Sequence, residues 1–417
     1  MVFPPSSGLP EVFPTAQQEV ARIASQAGVK WAVEWFRRQE PQLAQWQMEL
    51  ARIPGPPFGE EERSRWAEQR FRELGLEDVH RDELGNVFGR SEGFGQRCVA
   101  VSAHLDTVFP AGTKLEVKQQ GSRLEGPGIS DNAAGVTALL AMAAVMREAE
   151  LQHGAPILFI ANVGEEGEGD LRGMRHVFAT PRWSESIASS LVVDGAGSDT
   201  VIAQALGSKR FEIEVRGPGG HSWSDYGVAH PVVALANAIQ RLSQMALPQS
   251  PKTTFNVGTI QGGTSVNSIP QSATMRVDLR SASAEELDKL EGALRVAMEH
   301  CVEEEDERSE RLGKRGGKLS AELRMIGDRP AGEVGEGARI LQVMDAVDGH
   351  LGNVTRRQRA STDANIPIAL GREAITIGGG GTGGGAHTLQ EWFDCRGREL
   401  GLKRILLALL ALAGSAE

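Results

Sequence analysis

Five short segments of this 417-residue sequence hold side chains able to bind metals or move protons. They sit at the ends of expected strands or in the loops that follow, the edge at which open α/β sheets bind ligands. In Ala103-His104-Leu105-Asp106-Thr107 the extended chain places His104 and Asp106 on one face. There an imidazole can ligate a metal while a carboxylate orients it; the plainer alternative is a polar loop. Asp131, in Gly128-Ile129-Ser130-Asp131-Asn132, stands at a helix start. Alone it reads as an N-cap, yet a carboxylate there could also bridge two cations. Glu165 and Glu166 are adjacent carboxylates at a strand exit and repel each other unless something positive is near. With a metal present, one could ligate and the other act as a base; without one, they form an acidic turn. Asp194 ends the apolar run Val192-Val193 and precedes Gly195, which fits either a ligand at the sheet edge or a simple turn. Last, the run Gly378–Gly385 delivers His387 to an expected helix start. It lacks the Lys-Ser/Thr ending of a phosphate loop, and glycine suits a backbone that passes close to substrate.

Each segment is weak alone. Together they supply His104, Asp131, Glu166, Asp194 and His387 as five nitrogen and oxygen donors, with one further glutamate. A set without cysteine suits a pair of zinc-like ions with a bridging carboxylate. The remaining histidines, His80, His153, His176, His230, His300 and His350, lack such company and read as surface or packing residues.

The elements that must position these groups follow from periodicity. Gln17–Arg38, Gln42–Arg52 and Glu60–Leu74 carry helical spacing. Then the texture alternates: an apolar strand Cys98–Ser102, an Ala-rich helix Asn132–Ala149, and strands Pro156–Val163 and Ser190–Val193. This predicts an α/β fold, a mostly parallel sheet flanked by helices. Between Lys209 and Gly327 the pattern changes. Strand Phe211–Arg216, helix Val228–Met245, strands Thr253–Gln261 and Ala273–Ser281, helix Ala284–Glu304 and strand Leu319–Met325 give the order β-α-β-β-α-β. That is a ferredoxin-like α+β domain inserted at 209–327 into a discontinuous domain of 1–208 and 328–417. The α/β texture then returns and ends in a helix from about Leu389. The charge run Glu303–Arg315 reads as a solvated helix end and loop.

Composition narrows the function classes. Hydrophobic content of 40% and charged content of 24% suit a folded globular protein, and the length suits more than one core. A core of that size folds without a structural metal, so a metal here would be catalytic. The net charge of −11 gives no footprint for nucleic acid and disfavours an anionic membrane surface. Cys98, Cys301 and Cys395 are few and scattered, which excludes a disulfide framework and suits a reducing compartment, the cytoplasm. Met1–Pro14 shows no basic segment followed by an apolar one, so no secretory signal is expected. Ile405–Ala413 is apolar but too short to span a bilayer.

In that order, His-x-Asp, Asp, Glu-Glu, Asp, His, the residues resemble the co-catalytic zinc peptidase and deacylase family. It includes peptidase T, carboxypeptidase G, aminoacylase and acetylornithine deacetylase. The resemblance runs from about residue 45 to the end and includes the insertion. It implies a zinc-peptidase catalytic domain with a lid, and two zinc ions per chain, with cobalt or manganese as alternatives. His104 and Asp194 would hold one ion, Glu166 and His387 the other, and Asp131 would bridge them. Asp106 would orient His104, Glu165 would be the general base, and the Asp131–Asn132 peptide would be cis. Gly217-Pro218-Gly219-Gly220-His221-Ser222 matches the family's lid motif, so His221 would stabilise the oxyanion at a neighbouring site in a homodimer formed through the lid. Asn267, in Ser265-Val266-Asn267-Ser268, resembles the lid asparagine that contacts substrate. Arg280, in Val277-Asp278-Leu279-Arg280, resembles the arginine that grips a substrate carboxylate; alone it reads as a surface charge at a strand end. Ser361-Thr362-Asp363-Ala364-Asn365 resembles peptidase T-like members most. That implies a di- or tripeptidase, with an N-acyl-amino-acid deacylase as the alternative and a non-catalytic binding protein as the remote one.

Overall fold

A computed structural model describes residues 15–314 and 317–415. Met1–Pro14 and Arg315, on which two of the expectations above fall, lie outside the described residues.

Four parallel strands form the centre of a nine-stranded mixed sheet. They are Ile157–Asn162, Cys98–His104, Ile187–Val193 and Glu373–Ile377, neighbours in that order. The first three are near-continuous apolar runs because both of their faces are covered. Antiparallel strands Val87–Arg90 and Glu77–Arg81 extend one side, and Thr200–Ala205 begins the other. The fold is therefore α/β with a mostly parallel mixed sheet, as the alternating texture predicts.

Helix Ala133–Glu148 is buried all round through Met146. It lies between strand Cys98–His104 and helices Ala27–Arg38 and Glu40–Ala51, which explains why its sequence has no polar face. Two elements differ from expectation. The segment expected as one helix over Gln17–Arg38 breaks at Gln26, whose backbone is extended, into Ala16–Ser25 and Ala27–Arg38. The break redirects the chain, so the first half packs on Arg339–Leu351 and the second on Ala133–Glu148. The final helix begins at Arg398, not near Leu389. The residues between are claimed by a small antiparallel sheet, in which Trp392–Asp394 pairs with Arg123–Glu125 and Thr382–Gly384.

Strands Gly207–Arg216, Thr253–Gly262, Ser272–Ser281 and Ser320–Arg329 form a separate antiparallel sheet in spatial order second, third, first, fourth. Helices Pro231–Ser243 and Ala284–Arg311 cover one face through Phe211, Ile213, Met275, Leu279, Leu235 and Leu294. This is the ferredoxin-like arrangement. Its long second helix, capped by Ser283, runs on to Arg311 through much of the charged run.

One buried ion pair locks the end of the chain to the main body. Arg404 donates to both carboxylate oxygens of Asp348 at 2.7 and 2.8 Å, and the two side chains are 0% and 1% exposed. Asp348→Ala leaves that guanidinium buried and unpaired, which costs about 3–5 kcal/mol. Denaturant unfolding of the variant checks this, and a loss below about 1 kcal/mol would contradict it.

Candidate metal centre

Because the four central strands are parallel, their carboxyl ends share one edge of the sheet. His104 ends its strand, Glu165 and Glu166 follow Ile157–Asn162, Asp194 follows Ile187–Val193, and the loop carrying His387 follows Glu373–Ile377. Asp131 joins them from the start of Ala133–Glu148, whose N-cap is Asn132 rather than Asp131. The Asp131–Asn132 peptide is cis.

The side chains converge in two pairs around one carboxylate. His104 Nε2 lies 3.1 Å from Asp131 and 3.6 Å from Asp194. His387 Nε2 lies 3.1 Å from the other oxygen of Asp131 and 3.1 Å from Glu166. His104, Asp131 and Glu166 each offer a donor atom within 4.8 Å of the others'. Asp131 Oδ1 is buried and makes no aligned hydrogen bond, so a lone pair faces the cluster unused. Two imidazoles and three carboxylates without sulfur suit hard or borderline divalent cations. On these grounds the residues fit a metal pair.

Asp106 works differently from the simplest expectation. Its backbone carbonyl, 3.1 Å away, meets His104 Nδ1, while its carboxylate stands 3.6 Å off. That carboxylate instead accepts the backbone N–H groups of Glu165 and Glu166 at 2.9 and 2.7 Å. A single buried aspartate thus fixes both the histidine strand and the double-glutamate loop. Arg63, fully buried beneath, donates to the carbonyls of Leu105 and Ile53 and holds the same segment from behind.

At two positions of the glycine run, close packing by itself requires glycine. A Cβ on Gly378 would lie 2.5 Å from the Ala196 carbonyl, and one on Gly380 would lie 2.5 Å from that of Arg398. These glycines let backbone pack on backbone. His387 then sits in a turn at φ 65°, not at a helix start.

The electrostatics express crowding of negative charge. Burial alone would lower the pKa of His104, but the nearby carboxylates of Asp106, Asp131 and Asp194 outweigh it and hold the imidazole well above its usual range. Hydrogen bonds to Asp131 and Glu166 raise His387 to about 10. Burial pushes Asp131 up, yet both histidines pull its carboxyl well below the ordinary value. Burial raises Glu165 well above the carboxylate range, against the pull of Arg329.

Three participating residues escaped sequence reasoning. Arg329 Nη1 donates to Glu165 Oε1 at 3.0 Å. Asp363 is buried beside the site, hydrogen-bonded to Asn162 at 2.7 Å, and burial raises it to about 7. Glu391 accepts the backbone N–H groups of Gly128, Ser130 and Asp131, so it ties the Asp131 loop to the His387 loop. Only Asp363 lay within a segment whose resemblance drew attention; a lone arginine after a strand and a glutamate before Trp392 carry no local signal.

The residues expected to act from a lid stand apart from this cluster. His221 and Asn267 are exposed neighbours, joined where Gly220–His221 pairs with Ser268–Ile269 and where Ser222 N–H donates to the Asn267 carbonyl. Among the described residues neither makes a hydrogen bond to the cluster. Arg280 is paired with Asp278 at 2.6 Å.

Comparison with known proteins agrees with this geometry. A family model described as peptidase dimerisation domain matches residues 205–305, and one described as peptidase family M28 matches residues 86–223. The chain is 23% identical over 354 residues to the uncharacterised protein YqjE of Bacillus subtilis, spanning 81% of this chain and 90% of that one. It is 25% identical over 304 residues to carboxypeptidase G2 of a Pseudomonas species, spanning 70% and 68%. These matches support a metallopeptidase or related amidohydrolase. In fold it is similar to the aminopeptidase PepT of Bacillus cereus, with a TM-score of 0.71, 20% identity and coverage of 90% of this chain and 99% of that one. A dinuclear metal-binding peptidase of Bacillus subtilis scores 0.64 at 15% identity, covering 90% and 99%. Among the described residues, no helix is long and apolar enough to cross a membrane.

The neighbouring carboxylates raise both imidazoles above their usual range, so a metal competes with protons for them. Metal affinity therefore rises with pH through the neutral range, with protons released as the site fills. Titration calorimetry in buffers of different ionisation enthalpy measures this. A pH-independent affinity without proton release would contradict it.

Proposed function

We propose that this protein is a metal-dependent di- or tripeptidase acting on short peptides. The observation that carries the reading is the pair of histidine–carboxylate sets sharing Asp131, with the carboxylate of Glu165, held by Arg329, beside them. The peptidase names of its relatives support peptides as substrate.

In this reading His104 and Asp194 hold one divalent ion and Glu166 and His387 a second, with Asp131 between them. Zinc is the proposed metal, two ions per chain, with cobalt or manganese as substitutes on the same donors. When bound, such a pair lowers the pKa of a shared water and polarises the scissile carbonyl. The chain's own residues do the rest. Asp106 holds Glu165 and Glu166 by their backbones, so that one carboxylate can ligate while the other faces the reacting centre. Glu165 takes a proton from the attacking water and passes it to the leaving amine. Its burial keeps it basic enough to accept that proton, which a solvated carboxylate would do poorly.

The segment 209–327 serves as lid and dimer contact in this reading. The partner subunit's His221 stabilises the oxyanion, Asn267 contacts the substrate, and Arg280 releases Asp278 to hold the substrate's carboxylate as a two-pronged donor. Three buried free thiols suit a reducing compartment, the cytoplasm.

Hydrolysis of tripeptides and dipeptides, set against N-acetyl and N-succinyl amino acids, tests the substrate class. Preference for the peptides is expected; faster turnover of the acylated amino acids would replace the peptidase reading with the deacylase one. For the base, Glu165→Gln is expected to retain metal and lose about 10²- to 10⁴-fold in kcat. Near-normal turnover by the metal-loaded variant would contradict that assignment.

A further inference from the structure

Arg329 is the last residue of strand Ser320–Arg329, the point at which the chain leaves the ferredoxin-like unit. Its side chain is 6% exposed. One guanidinium makes three hydrogen bonds: Nη1 donates to Glu165 Oε1 at 3.0 Å and to Ser361 Oγ at 3.2 Å, and Nη2 donates to the backbone carbonyl of Glu165. The side chain and the main chain of Glu165 are therefore held by the same rigid fork.

The surroundings repeat this connection. Arg329 and Arg280 both lie opposite Ser208 in the strand register, so the three share one face of the sheet. The helices cover the opposite face, where Leu279 and Phe211 point. The Arg329 face is thus turned to the main body. From it Arg210 donates to the Gly167 carbonyl at 3.0 Å. The Asp328 N–H donates to Asp170 at 3.0 Å, and Arg175 returns a bond to the Asp328 carbonyl. Every one of these bonds joins the root of the inserted unit to the segment from Glu165 to Arg175. On its other side, Glu165 is held by Asp106 from the central sheet. Glu165 is thus held from both units at once.

We propose that Arg329 is a positioning residue that aims the Glu165 carboxylate and makes its aim depend on the orientation of the lid. The inference rests on the reading of Glu165 as base. Movement of the lid root carries Arg329 with it, and Arg329 carries both the carboxylate and the carbonyl of Glu165. The catalytic geometry is complete only when the root is seated. Lysine cannot substitute, because a single ammonium on a flexible stem does not reach the carboxylate and the carbonyl in one fixed plane.

The test uses full-length, metal-loaded protein carrying Arg329→Lys or Arg329→Gln, assayed on a tripeptide and on the same tripeptide with an amidated C-terminus. The lysine variant keeps the buried charge, so it remains informative if the glutamine variant fails to fold. The expected result is a fall in kcat of about 10²-fold, the scale of a misplaced catalytic group. KM and metal content stay unchanged, and the factor is equal for acid and amide. In the Glu165→Gln background the same substitution should cost little more, because the two residues act as a unit. An unchanged kcat overturns the proposal. So does a loss confined to KM that disappears with the amide, which would make Arg329 an anchor for the substrate's carboxylate. Near-normal turnover by Glu165→Gln alone would overturn the base reading, and this inference with it; full loss there with wild-type kcat in both Arg329 variants overturns only this inference.

Discussion

Five acidic side chains, Asp106, Asp131, Glu165, Glu166 and Asp194, are gathered at one edge of a sheet, and their mutual repulsion is the constraint around which this protein is built. Two imidazoles answer part of that charge, and each does so through Asp131. The surrounding carboxylates raise both imidazoles, the same excess of negative charge that suits divalent cations. The arrangement survives because its supports are rigid and buried. Asp106 grips the double-glutamate loop, Arg63 backs the histidine strand, and Glu391 ties together the loops bearing Asp131 and His387.

Parallel topology makes the convergence possible. Four strands far apart in sequence end at the same edge, so each contributes its last residues to one small volume. A tight antiparallel hairpin would send alternate strand ends to opposite edges. The ferredoxin-like unit enters and leaves the chain beside this edge, through Gly207–Arg216 and Ser320–Arg329. Its root therefore touches the loop of Glu165 while its far end carries His221 and Asn267. One inserted unit thus contacts the loop of Glu165 directly at its root.

Much of this was legible in the sequence because the informative residues follow apolar runs of strand length. His104, Glu165, Glu166 and Asp194 each come just after such a run or at its end, and the alternation of strand and helix assigned the sheet its parallel character. The inserted unit was equally legible, since its strands alternate and its helices are amphipathic. What escaped was set by contacts distant in sequence. The role of Asp106 depends on backbone groups some 60 residues away, and that of Glu391 on a loop some 260 residues away. Close backbone packing requires glycine at Gly378 and Gly380, a need that the sequence alone does not show. The helix expected from Leu389 begins later because an antiparallel partner claims Trp392–Asp394, a pairing that local propensity does not encode.

The central claim is a two-metal site that acts on peptides. Elemental analysis of the purified protein, together with tripeptide hydrolysis before and after chelation, tests it most directly. The account predicts about two divalent ions per chain, activity lost on chelation, and recovery when zinc is restored. Protein that binds no metal after reconstitution and hydrolyses no peptide would contradict it, and would leave the cluster as the relic of a site in a binding protein.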